Sequence, residues 1–391
     1  MSRQTIFPGT TANGQQTTLG VMGGGQLGRM FVQAAQRMGY FTAVLDPDPA
    51  SPAGLVSHYH VQADYLDEQA LAQMMQRCAA ITTEFENVPS AAMFTLGAHR
   101  PVAPGAAVLK IAQDRIREKA HFVACGVACA PYAAVSDVAQ LAAVPEHLLP
   151  GILKTARLGY DGKGQRLVSD RSALAAAWAE LGAVPCVLEQ QLALDMECSV
   201  IVARGWDGAM VNLPVQRNLH RGGILASTEV YEGNLPAPLA ARAVAAAGAI
   251  TQALDYVGVL CVEFFVVAGA LLVNEIAPRP HNSGHYSLDA CDQSQFDLQV
   301  RTLAGLPLVA PRLHSAAVML NLLGELWLQP AGGAPDWSAV LALPGTHLHL
   351  YGKLGARAGR KMGHLTITAA NADEARATAA RVAGLLGLPF A

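Results

Sequence analysis

The sequence predicts an α/β protein, α+β overall, and three observations carry that reading. Strand-like and helix-like segments alternate from Thr17 to about Pro104, which means a parallel sheet. Apolar runs broken by turn signals such as Asp207-Gly208 then follow, which means antiparallel strands. A Pro-marked stretch, "AGLPLVAP" at Ala304 to Pro311, introduces a further small unit. The expected organisation is a leader over 1–16, a first domain over 17–110, a central domain over 111–305 and a C-terminal domain over 306–391. The leader, "MSRQTIFPGTTANGQQ", is Thr-, Gln- and Gly-rich without periodicity and is expected to be disordered.

Composition bounds the function classes. A 391-residue chain with 52% hydrophobic residues, a mean hydropathy of +0.27 and a net charge of -3 reads as a globular protein of two or three domains. Lys and Arg are scattered, so no nucleic-acid surface is expected. No apolar run is long enough to span a membrane, and no signal peptide is legible, so a cytoplasmic protein is expected. Seven cysteines without a C-x-x-C pair argue against a disulfide framework or a zinc site.

In the first domain, "GVMGGGQLGRM" holds Gly23, Gly25 and Gly28 at the spacing G-x-G-x-x-G between a buried strand and a helix. The helix shows one apolar face: Leu27, Met30, Phe31, Ala34, Ala35 and Met38. A second strand, "FTAVLD", ends at Asp46, and "AAITTEF" stops at Glu84 and Glu86, with a helix between from Asp67 to Cys78. Ligands of such Rossmann-like sheets gather at the carboxyl ends of the strands. Free amides at a helix N-terminus attract any phosphate, so the loop predicts an anion and leaves open whether it belongs to a nicotinamide cofactor.

The central domain opens with the charged helix "QDRIREKAHFVACG". In "KTARLGYDGKGQ" two strands flank a glycine loop, with Gly159, Gly162 and Gly164 supplying amides and Lys154 and Lys163 supplying charge, as suits a lid over phosphates. It lacks P-loop spacing. Strands are expected at "VPCVLEQQL", "MECSVIVAR" and "AMVNLPV", and a helix from Pro236 to Leu254.

The most informative stretch is Val257 to His285, "VGVLCVEFFVVAGALLVNEIAPRPHNSGH", which reads as a hairpin turning at Ala268-Gly269-Ala270. With the turn centred on Gly269, Glu263 and Glu275 sit opposite one another on one face. Such side chains lie about 5 Å apart and would repel by roughly 3 kcal/mol at an effective dielectric near 20. An oxygen-only pair among apolar neighbours points to Mg2+. Pro278 and Pro280 break any helix through His281, so Arg279 and His281 are expected in an extended substrate-contacting segment, with His285 capping or packing.

Taken together, "GGGQLGRM", "DPDPASPA", "TEFENVP", "QDRIREK", "KTARLGYDGKGQ", "VEFFV…LLVNEIAPRPHNSGH" and "GRKMGHLT" resemble the N5-carboxyaminoimidazole ribonucleotide synthetases, ATP-grasp ligases of purine biosynthesis, from Leu19 to Thr366. The resemblance implies a Rossmann-like first domain, a central ATP-grasp domain and a small C-terminal domain. It implies ATP-dependent carboxylation of aminoimidazole ribonucleotide by bicarbonate through carboxyphosphate, with ATP and Mg2+ as cofactors, and a homodimer. By the same resemblance Arg115, Lys154 and the loop Gly159, Tyr160, Asp161, Gly162, Lys163, Gly164 and Gln165 hold phosphates. Glu189, Gln190, Gln191 and Leu192 run beside adenine, Glu197 takes the ribose, His220 and Asn274 border the nucleotide, and Glu263 with Glu275 carries magnesium. Gly25, Gln26, Leu27, Glu84, His281 and Asn282 face the ribonucleotide, whose 5′-phosphate is clamped by Lys353, Arg360 and Lys361. Tyr160, Asp161, Arg279, His281 and Lys353 are the candidate catalytic groups.

Two departures stand out: "RNLH" puts Arg217 where the family usually has an acid, and "KTARLGYDG" has Ala156 and Leu158 where it commonly has arginine and glycine. The rivals are a formate-dependent ATP-grasp transformylase, which usually carries an acid at the position of Gln26, a nicotinamide oxidoreductase, and a nucleotide-binding paralogue without turnover.

Overall fold

The computed structural model describes residues 5–10, 14–159, 163–328 and 335–390. Its first sheet is parallel, with strands in the order Tyr59–Val61, Phe41–Leu45, Thr18–Met22, Ala80–Thr83 and Val102–Ala103. The central strand Thr18–Met22 is buried along its whole length, which is why it reads as a continuous apolar run rather than an alternation. The helix Gln26–Arg37 leaves its C-terminal end and buries Leu27, Met30, Phe31, Ala34 and Ala35, the face expected from their spacing. Asp67 caps the helix Glu68–Arg77 by accepting from Ala70 N at 2.8 Å.

A small antiparallel sheet follows, ordered Tyr132–Val135, Cys186–Gln190, Gly151–Thr155 and Gln165–Val168. The helix Arg171–Glu180 covers it through Leu174, Ala177 and Trp178. The glycine loop joins the last two strands of that order.

The largest sheet has nine strands. Its path runs Ala270–Ala277, Gly258–Val267, Met196–Arg204, Gln216–Arg221, Ile224–Val230, Ala316–Leu323, Lys361–Ala369 and Thr346–Leu350, with Met210–Asn212 attached to Met196–Arg204. Strands on both sides of the Pro-marked stretch therefore share one sheet, because Ile224–Val230 pairs with Ala316–Leu323. The Ala-rich helix Ala237–Ala253 packs on it, where Ala243 and Ala247, both fully buried, let the backbone lie close to Leu260 and Val262. Each large apolar side chain so buried contributes about 1.5–3 kcal/mol. All seven cysteines are free.

Residues 5–10 correct the expectation of a disordered leader. Ile6 N donates to Ala304 O at 2.8 Å and Tyr40 Oη donates to Ile6 O at 2.7 Å, while the Ile6 side chain packs against the first domain's core. Backbone groups with partners and a docked apolar side chain hold the segment down, which composition could not reveal. Residues 1–4 and 11–13 lie outside the described residues.

Candidate active site

The hairpin that carries the acid pair turns on two residues, Ala268 (φ 48°) and Gly269 (φ 74°), the backbone of a tight primed turn. Val267 therefore faces Ala270 and Phe264 faces Val273, one step out of the register expected from a turn centred on Gly269. A bulge corrects the slip. Beyond it Val262 faces Ile276, so Glu263 alone stands against two residues, Asn274 and Glu275. The bulge adds Asn274 to the set, and all three side chains line one cavity of about 240 Å³.

The electrostatics of this set are unbalanced. Burial and the neighbouring Glu275 push the Glu263 carboxyl up, whereas Glu275, despite its confinement, is held below the usual range by Arg115. Arg115 Nη1 donates to Glu275 Oε2 at 2.7 Å and its Nη2 to Gly159 O at 3.3 Å, tying the acid pair to the start of the glycine loop. Asn274 Oδ1 is buried without a hydrogen-bond partner. A carboxyl that ionises reluctantly, an orphaned amide oxygen and a second carboxylate make a hard-oxygen donor set that a divalent cation of the Mg2+ class fits.

The same cavity gathers Lys154, Lys163, Gln165, Glu197, His220 and Asn282. Burial works against a charged His220, but its contact with Glu197 and the nearby carboxylates of Glu263 and Glu275 outweigh this and raise its pKa. Gln190, Gln191 and Leu192 are not among the cavity's lining, which at this edge is formed by Leu194. Nor is Glu189, which lies beneath it: its carboxylate bridges Lys119 Nζ at 3.2 Å and Lys154 Nζ at 3.1 Å. Tyr160, Asp161 and Gly162 lie outside the described residues.

A second cavity, of about 110 Å³, touches the other side of the acid pair and is lined by Glu86, Gly159, Arg279, His281 and Lys361 among others. Arg279 pairs with Glu86 of the first domain, so the strand-end carboxylates read from "TEFENVP" do different work. His281 is extended (φ -128°, ψ 155°), and its Nε2 lies 3.2 Å from Glu263 Oε1. Burial and the Arg279 charge hold its pKa well below the ordinary histidine value, so it is neutral.

Glu84 occupies the first glycine loop. Its Oε1 accepts from Gly25 N at 2.9 Å and its Oε2 from Gly28 N at 3.2 Å, while Asp46 accepts from Gly24 N at 2.6 Å. The helix N-terminus is thus capped by the chain's own carboxylates, and this revises the expectation of amides free for an external anion. A Cβ at Gly25 would lie 2.5 Å from Glu84 Oε1, so a larger residue there would push the capping carboxylate aside. Gln26 is half-buried at the start of the helix, and Leu27 is buried.

The three basic residues near the C-terminus separate. Lys361 lines both cavities, Lys353 Nζ donates to Lys361 O at 2.8 Å, and Arg360 folds back on the carbonyls of Leu354 and Gly355. Burial and the charges around it lower the Lys353 pKa to about 8.

The departures from the family pattern also have their places in the structure. Arg217 is exposed and lines a different cavity, with Arg376 and Phe390, so the charge reversal does not face the acid pair. Ala156 is buried, and Leu158 is held at φ 61° with its side chain exposed.

Sequence reasoning missed Lys119 and Glu118. Lys119 lies four residues after Arg115, on the same helix face, and that spacing was the available signal. Glu118 is buried, accepts from Ile276 N at 2.8 Å and is pushed up to about 8 by its burial, so it supports the strand carrying Glu275.

Comparison with known proteins fits this arrangement. Residues 16–113 match the ribonucleotide synthetase preATP-grasp domain, residues 120–296 the ATP-grasp domain, and residues 317–378 the phosphoribosylaminoimidazole carboxylase C-terminal domain. The chain is 42% identical over 373 residues to the N5-carboxyaminoimidazole ribonucleotide synthase of Brucella melitensis, covering 94% of this chain and 98% of that one. A crystal structure of such a synthetase as its ADP complex superposes with a TM-score of 0.88 at 38% identity, covering 98% of each chain. The Aspergillus clavatus enzyme with ADP and 5-aminoimidazole ribonucleotide gives 0.86 at 30% identity, covering 95% of this chain and 98% of that one. With its acid hairpin, its capped glycine loop and relatives matched along nearly its whole length, the chain belongs to the N5-carboxyaminoimidazole ribonucleotide synthetase family of ATP-grasp ligases.

Proposed function

We propose that the chain carboxylates 5-aminoimidazole ribonucleotide with ATP and bicarbonate in purine biosynthesis. Bicarbonate oxygen attacks the γ-phosphorus and ADP leaves; the ribonucleotide's amine then attacks the carboxyl carbon of carboxyphosphate and phosphate leaves. The observation that carries this reading is the acid pair shared by two adjoining cavities, one lined by Lys154 and Lys163 and the other by Arg279, with His281 facing both. Transfer between the two can then occur without the intermediate meeting bulk water.

In this reading Lys154, Lys163 and Arg115 bear the ATP phosphates, Glu197 and His220 take the ribose, and the segment 189–192 flanks adenine. Glu263 and Glu275, with Asn274 beside them, hold Mg2+, which when bound neutralises charge on the phosphates. Neutral His281 orients bicarbonate beside Arg279, and Tyr160 and Asp161 contribute from the loop. Glu84 turns its capped carboxylate, with Gly25, Gln26, Leu27 and Asn282, to the ribonucleotide, and Lys353 with Arg360 and Lys361 meets its 5′-phosphate. The nicotinamide alternative loses its support, because a pyrophosphate would have to displace Glu84 from the amides of Gly25 and Gly28.

The enzyme is further proposed to be homodimeric, as the family resemblance implies, and cytoplasmic, from the absence of a legible signal peptide or membrane span in the sequence. Among the described residues no helix is long and apolar enough to cross a membrane. Incubation with ATP, Mg2+ and aminoimidazole ribonucleotide, with and without bicarbonate, tests the reaction: phosphate release that ignores bicarbonate would refute it. Light scattering tests the dimer.

A further inference from the structure

Three histidine rings, His285 from the segment after the acid hairpin and His364 and His349 from the C-terminal hairpin, stack in a column. His285 and His364 have centroids 4.6 Å apart, and His364 and His349 4.5 Å with planes 12° apart. His285 and His364 are fully buried. Each ring has a partner on one nitrogen, while His285 Nε2 and His364 Nε2 are buried without one. Tyr351 Oη lies 2.9 Å from His364 Nδ1, Gln295 Nε2 donates to His285 Nδ1 at 3.0 Å, and His349 Nε2 lies 2.9 Å from Asp289 Oδ2.

Ligand atoms of Asp289, His349 and His364 come within 4.8 Å of one another, which raises the question of a metal. Nearly parallel rings aim their nitrogen lone pairs side by side rather than at one point, so the stack is a packed bearing and not an ion cage.

Both ends of the column reach the site. Gln295 also bonds the backbone of His281, accepting from its N and donating to its O at 2.8 Å each. Tyr351, at 2% exposure, is embedded in the core of the first domain with Leu27, Met30 and Phe296, and Lys353 Nζ lies 5.7 Å from its ring centroid. We propose that Tyr351 and His364 are positioning residues: by fixing the C-terminal hairpin against the first domain and the His281 segment, they hold Lys353 where the ribonucleotide phosphate arrives. This inference rests on the assignment of Lys353 to that phosphate.

The test measures KM for ribonucleotide and for ATP, with kcat, in Tyr351→Phe, His364→Ala and His364→Asn, and melting temperature throughout. Tyr351→Phe and His364→Ala should raise the ribonucleotide KM roughly fivefold, the factor one net hydrogen bond is worth, with the ATP KM within about twofold of wild type. His364→Asn, which keeps a polar atom near the Nδ1 position, should restore most of the loss. Equal changes in both KM values, or a silent Tyr351→Phe, would overturn the proposal; should His364→Ala fail to fold, Tyr351→Phe decides alone. A wild-type protein that processes ATP but gives ribonucleotide no saturable effect would instead defeat the functional reading, and this inference with it.

Discussion

Two hairpins bring charge to the same cleft by opposite means. The acid hairpin, Gly258–Val267 with Ala270–Ala277, sets its groups by its own geometry: a two-residue turn fixes the register and one bulge collects Glu263, Asn274 and Glu275 on a single face. The basic hairpin, Thr346–Leu350 with Lys361–Ala369, has its charges at the end of a long connection. Its Lys353 donates to Lys361 O within the hairpin, and Tyr351, two residues before it, is embedded in another domain's core and bonded to His364. A local device tolerates change elsewhere in the molecule, whereas a tertiary device fails when a distant support is lost.

The largest expected effect lies in the acid hairpin. Glu275→Gln removes one of two opposed carboxylates and the partner of Arg115, and should lower kcat by roughly 10³-fold while circular dichroism and the melting curve keep the fold. Near-wild-type turnover would show that the local device does not serve the reaction.

Next comes Lys353→Ala, which should raise the ribonucleotide KM about 10- to 100-fold, as for the loss of a charge-assisted contact, and leave the ATP KM nearly unchanged. An unaltered ribonucleotide KM would remove the basic hairpin from the comparison.

Asn274→Ala should then raise the Mg2+ concentration needed for half-maximal rate about tenfold, because the orphaned oxygen is lost but both carboxylates stay. A magnesium dependence that does not move would mean that the bulge serves packing alone.

A pH profile separates the hairpins further. Lys353, lowered to about 8, is charged below that pH and neutral above it. The ribonucleotide kcat/KM should therefore fall as pH rises through about 8, and the fall should vanish in Lys353→Ala.

The smallest effect belongs to neither hairpin. Leu158, exposed and at φ 61°, occupies a conformation costly for a residue with a Cβ. Leu158→Gly should raise stability by about 1 kcal/mol in urea unfolding. Destabilisation would mean that its backbone is not strained.

How much was legible differs between these features. The opposed Glu263 and Glu275 followed from alternation and a turn, although the route to that opposition, an offset turn repaired by a bulge, was not. Bulges leave no reliable trace in one sequence because any residue can be the extra one. The capped glycine loop was half legible: its amides were read correctly, but Glu84, some sixty residues away, had already filled them. Arg217 was set near the nucleotide by the family motif alone, whereas the two-residue alternation of the strand Gln216–Arg221 puts it, three positions from His220, on the opposite and exposed face. The spacing from Arg115 could have put Lys119 on the right helix face, but its partner Glu189, like the docking of Ile6, is remote in the chain and leaves no local trace.

By itself the sequence determined the alternation of strands and helices, the hairpin with its acid pair, the glycine loops and the family motifs, since each depends on neighbours within a few residues. The tertiary structure alone decided which amides remained open, that Glu189 would pair with two lysines, and that His285, His364 and His349 would stack in one column. These depend on desolvation and on contacts between segments far apart in the chain, and a side chain's charge or partner is fixed only when its surroundings are complete.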